Sequence, residues 1–142
     1  MIATFVMSLV IGTSLIALQT GFRYVDVARG DTLASQIMQS EIERLRLMAW
    51  SKTSPSGVVD SITELPASET VDLSTMFSTN PALASRFAVT RTVETDPSRA
   101  DVRYITVSVT WSSSDGMSHT RSFTTMYAKN GLYDYYYTLA NP

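Results

Sequence analysis

The side chains that perform most enzyme chemistry are scarce in this chain. Its single histidine, His119, stands in a run of Ser and Thr, and there is no cysteine to serve as a thiolate nucleophile or as a sulfur ligand for zinc. No serine sits in a pattern that pairs a nucleophile with a base, so His119 reads as an exposed strand residue and no catalytic residue is assigned; the chain is not expected to be an enzyme. Carboxylates fall in turn-like sequence at Asp96, Asp101, Asp115 and Asp134, but the Asp-x-Asp-x-Asp spacing of a calcium loop is missing. No metal site and no cofactor is expected. Lys+Arg number 11 against 13 Asp+Glu, a net charge of −2, and the cations are scattered rather than clustered. That leaves no field to hold nucleic acid through counterion release.

The chemistry that remains belongs to surfaces. Tyr133, Tyr135, Tyr136 and Tyr137 crowd the end of the chain, each an apolar ring with a polar tip. They suit docking onto the chain's own sheet with hydroxyls in water, or contact with a neighbouring subunit or surface. At the other end, residues 1–22 hold no ionisable side chain at all.

A helix of 22 residues spans roughly 33 Å at 1.5 Å per residue, enough to cross the hydrocarbon of a bilayer. Ile2, Phe5, Val6, Leu9, Val10, Leu15, Ile16 and Leu18 supply its apolar bulk, and the interspersed Ser and Thr can hydrogen-bond back to the helix. A cleavable signal peptide fits poorly, for the first charge is Arg23 and no small-residue cleavage site stands out. A simple anchor and an assembling helix both remain. Gly12 and Gly21 mark the region of weakest helix propensity, where the helix could loosen or where a neighbouring helix could approach closely.

From Arg23 to about residue 50 the pattern turns amphipathic. Val27, Ala34, Met38, Ile42, Leu45 and Ala49 recur every three to four residues, widened by Leu33, Ile37 and Met48, so one side seeks a core. Opposite charges at i,i+3 (Arg23 with Asp26, Asp26 with Arg29, Glu41 with Arg44, Glu43 with Arg46) are expected to line the solvent side or to pair between subunits. Pro55 and Gly57 stop the helix. The spacing thus predicts one helix over about 1–50, divided into an apolar half, 1–22, and an amphipathic half, 23–50.

Residues 51–85 read as an irregular connection, with a short helix after Asn80 and Pro81. Residues 86–142 follow as a sheet with an aromatic tail, its strands expected over 86–95, 102–112 and 118–128. In the middle strand Ile105, Val107, Val109 and Trp111 alternate with polar residues, which gives an apolar face fit to pack on the stripe containing Leu33, Met38, Ile42 and Leu45. Ser114, Asp115 and Gly116 predict a tight hairpin between the last two strands, and 96–101 a looser turn before them. The fold class is therefore α+β, one long N-terminal helix on a small antiparallel meander.

An apolar start of Met1, Ile2, Ala3, Thr4, Phe5, Val6 and Met7 that continues as a long amphipathic helix, then a Pro/Ser loop, then a meander containing Val107-Ser-Val-Thr-Trp111, resembles the type IV pilins and the pseudopilins of type II secretion. The likeness covers the whole architecture, while its sequence specificity lies in residues 1–50 and in that strand. It implies a structural subunit of a pilus-like filament or pseudopilus. Such a subunit resides in bacterial inner-membrane lipid before assembly, then joins copies of itself and related pilins in a helical filament outside the cell or a periplasmic pseudopilus, with pilus or secretion machinery as a further partner. The family's processing motif and its buried Glu do not occur in residues 1–142, so this reading expects them ahead of Met1. The alternative is a monomeric, membrane-anchored extracytoplasmic binding module, with the helix as its stalk.

Overall fold

The computed structural model describes residues 2–51, 59 and 61–131. One helix, α1 (Ile2–Arg46), dominates it. No proline interrupts this stretch, and Arg44 and Arg46 sit in its last turn, where cations oppose the negative end of the helix dipole. The helix stops short of residue 50. Leu47 and Met48 donate to carbonyls three residues back, which tightens the final turn. The carbonyls of Ala49 and Trp50 then accept from Ile62 and Thr63 at 3.0 and 3.1 Å, so the chain leaves α1 to pair with a 3-10 turn at Ile62–Glu64 rather than continuing the helix.

The sheet has four strands in the order β1-β2-β3-β4, all antiparallel: β1 (Ser68–Thr70), β2 (Phe87–Thr95), β3 (Val102–Ser112) and β4 (Ser118–Ala128). The last three lie within one residue of the expected strands. β1 is an addition to the expected three-stranded meander, and its three exposed residues are too few to show a period; pairing with Thr90–Thr92 makes it a strand. Between β1 and β2 comes α2 (Pro81–Ala84), which Asn80 caps by accepting from the Leu83 amide, with Pro81 in its first turn. The β3–β4 hairpin turns at Gly116, whose φ of 80° lies in the left-handed region open to glycine. The β2–β3 turn is held by the Asp96 carboxylate, which accepts from the amides of Ser98 and Arg99.

The core lies between α1 and one face of the sheet. Ala34, Ile37, Met38 and Leu45 from α1 meet Phe87 and Val89 from β2 and Ile105, Val107, Val109 and Trp111 from β3, with Trp50, Ile62, Leu65 and Leu73 closing the ends. Burying each of the large aliphatic side chains here is worth about 1.5 to 3 kcal/mol. β4 contributes only Tyr127, whose ring stacks on Trp50 and whose hydroxyl donates to the Met48 carbonyl. The opposite face of the sheet carries hydroxyls. Ser68, Thr92, Thr106 and Thr124 stand in one cross-strand row, and Thr70, Thr90, Ser108 and Ser122 in the next. Thr106 hydrogen-bonds Thr124 across strands at 2.8 Å, as does Thr110 to Thr120 at 3.0 Å.

Candidate functional site

The first half of α1 holds most of the exposed large apolar side chains among the described residues. Ile2, Phe5, Val6, Leu9, Val10, Leu15, Ile16 and Leu18 are each more than half exposed, as are Phe22 and Tyr24. The helix is long and apolar enough there to cross a membrane, and 0% of that apolar window is buried by the rest of the chain. Four of its hydroxyls bond back to the helix. Ser8 donates to the Thr4 carbonyl, Thr13 to those of Leu9 and Val10, Ser14 to that of Val10, and Thr20 to that of Ile16, at 2.8 to 3.0 Å. Hydroxyls paired internally in this way can enter an apolar phase without stranding a donor, which leaves the Gln19 amide as the polar side chain without such a pairing. Gly12 and Gly21 lie inside a continuous helix, and a methyl at either would meet nothing within 4 Å. The backbone shows no loosening at these positions.

Where the apolar run ends, the head takes hold of the helix. Arg23 pairs with Asp115 at 2.8 Å, and the Asp26 carboxylate accepts from the Ser114 amide at 2.7 Å and from Arg86 at 3.3 Å. These partners replace the expected i,i+3 pairing of Arg23, Asp26 and Arg29, which is not found among the described residues. A partner that also closes a backbone turn outcompetes a solvated neighbour worth a few tenths of a kcal/mol. The Ser113 hydroxyl, then the Arg23 guanidinium and the Met117 amide, hold the Asp115 carboxyl well below the usual aspartate range. Further along, Asp31 meets Arg121 at 2.7 Å. The remaining two expected pairs do form, Glu41 with Arg44 at 3.1 Å and Glu43 with Arg46 at 2.8 Å.

Glu41 does not face solvent as expected. It is buried beside Arg91, itself only 2% exposed, which lies 3.5 Å from Glu41 and pairs also with Glu69 of β1. Burial pushes the Arg91 guanidinium below its ordinary value and nearby Arg44 adds to that, while Glu69 and Glu41 oppose the shift. His119 also departs from expectation, for it is half-buried rather than exposed. Its ring stacks on Trp111 at 5.5 Å, and Nε2 lies 3.2 Å from the Ser113 hydroxyl. Ser113 also donates to Asp115, so His119, Ser113 and Asp115 form one hydrogen-bonded cluster at the hairpin. The cluster holds a turn closed.

The expected helix–sheet contacts lie as follows. Met38 and Leu45 share one cluster with Ile105, Val107, Val109 and Trp111, and Leu33 packs on its margin; Ile42 is buried apart from it, on the side of α1 near Phe123. Sequence reasoning missed Gly30. A methyl built there would stand 2.2 Å from the Trp111 indole nitrogen, so the ring lies directly on the helix backbone. The chain carries a glycine within the amphipathic stripe as the only signal of this. Asp96 and Asp101 are engaged within their turn, by Ser98 and Arg99, and no group of three metal-ligating side chains occurs among the described residues. Tyr133, Tyr135, Tyr136, Tyr137 and Asp134 lie outside the described residues. No protein-family model, no curated protein and no solved structure matches this chain.

Proposed function

We propose that the chain is a structural subunit of a type IV pilus-like filament or pseudopilus. It is held in the membrane by residues 2–22 and assembled by bundling those segments from many copies. The observation that carries this reading is an unbroken helix with one half fully uncovered and the other locked to a small sheet by packing and ion pairs. A head so tightly joined to its helix transmits the helix's position rigidly, and head-to-tail repetition that does not close on itself produces a fibre. Neighbouring apolar helices substitute for lipid without a change of environment polarity, which lets a membrane-resident subunit move into a bundle.

Replacing Leu9 or Ile16 with Asp tests the proposal. A carboxylate at the centre of an apolar bundle costs about 2.5 to 3.5 kcal/mol per copy on insertion scales. Filaments imaged from cells carrying Leu9→Asp should vanish while the head retains its thermal transition. Unchanged filaments would reject the reading. A monomer that stays single in detergent even beside its assembly machinery would favour an anchored binding module instead.

A further inference from the structure

The geometry points to a second membrane contact in this chain: the β3–β4 turn, residues 113–117, rests in the lipid headgroup layer with the Met117 side chain turned into the interface. The partner is the bilayer surface at the foot of the chain's own apolar helix, and the inference rests on residues 2–22 lying in a membrane.

The position of the turn follows from the ion pairs. Whatever precedes residue 2, the hydrocarbon must end near the first charges, because Arg23 can extend its guanidinium toward the headgroups and Asp26 is too short to do so. Asp115 is bound to Arg23 and the Ser114 amide to Asp26. At 1.5 Å per residue, these anchor points lie only about 2 to 6 Å along the axis beyond Phe22. The headgroup layer on each side of a bilayer is roughly 5 to 7 Å deep. A turn bonded at that height therefore lies within the layer, and α1, unbroken from residue 2 to 46, gives the head no hinge with which to lift away.

The side chains suit that place. Phe22 and Tyr24, 73% and 72% exposed, give the helix the aromatic residues that favour the membrane–water boundary. Met117 at the turn is 55% exposed; its backbone amide and carbonyl are bound to Asp115 and to Ser113, so the free part of the residue is its apolar side chain. The charges around it are matched in pairs, Arg23 with Asp115 and Asp26 with Arg86, so seating the turn among headgroups strands no unpaired ion.

The absence of cysteine makes the test direct. Nitroxide labels are attached singly to Met117→Cys, Leu9→Cys and Ser98→Cys in the full chain, reconstituted in phosphatidylcholine nanodiscs, and their accessibility to oxygen and to an aqueous nickel chelate is measured. Ser98 is the aqueous reference, since it lies in the β2–β3 turn, roughly 35 Å away along β3 at about 3.3 Å per residue. The label at 117 should be several-fold less accessible to nickel than that at 98 and more accessible than that at 9. A deep label at 9 with a label at 117 as aqueous as that at 98 would overturn the turn's docking and leave the membrane reading intact. An aqueous label at 9 would overturn both.

Discussion

At the scale of single residues, Gly30 and Trp111 decide how closely the helix meets the sheet. Elsewhere in an exposed helix, alanine in place of glycine gains up to about 1 kcal/mol. At residue 30 the added methyl would press on the indole at 2.2 Å, and the ring is itself stacked between Phe87 and His119 at centroid distances of 6.3 and 5.5 Å. Forcing extra volume into such a site costs about 1 to 3 kcal/mol, so overpacking outweighs propensity. Gly30→Ala is expected to lower the denaturant midpoint of the folded head, whereas Gly12→Ala, with open space around it, should leave that midpoint unchanged or raise it.

At the scale of elements, α1 is bound to the sheet by a series of ion pairs, Arg23 with Asp115, Asp26 with Arg86, Asp31 with Arg121 and Glu41 with Arg91. The last is the buried one. Glu41→Ala would leave Arg91 in the core with Glu69 of the short strand β1 as its remaining carboxylate, so the loss should fall short of the roughly 3 to 5 kcal/mol of a fully orphaned buried charge but exceed that of an exposed pair. Replacing Arg86 by Ala removes an exposed pair worth no more than about 1 kcal/mol. Urea unfolding should show the Glu41→Ala variant as the less stable of the two. The elements themselves were legible: apolar periodicity locates α1 and β3, strand-like composition between turn residues locates β2 and β4, and Asn80-Pro81 announces α2. The direction of the charges was not, because i,i+3 spacing describes a helix alone and cannot reveal that a strand turn 88 residues away offers Asp26 a backbone amide. β1 escaped for a related reason, since three exposed residues become a strand only through their neighbour. The apolar surface that carries the proposed function could be read in full, as its exposure follows from a head too small to cover it.

At the scale of the whole molecule, the core draws nothing from residues 2–22, for the deepest contribution of α1 begins with Gly30 and Ala34. A version lacking residues 1–22 is therefore expected to fold as a monomer in detergent-free buffer, with a melting temperature within a few degrees of the full chain in detergent; calorimetry on the two would check it. A large fall would mean that the apolar half supports the head. The molecule is otherwise strongly two-sided. Its sheet turns a hydrophobic face to the helix and tiles the other with rows of Ser and Thr. Those hydroxyls pair with one another across strands or face solvent, and covering them releases little apolar hydration, Met126 and Tyr104 being the exposed apolar exceptions on that face. If copies bundle through the helix as proposed, the hydroxyl rows are the part of the sheet with least to gain from being covered, so the outward side of such a bundle would already be set within a single subunit.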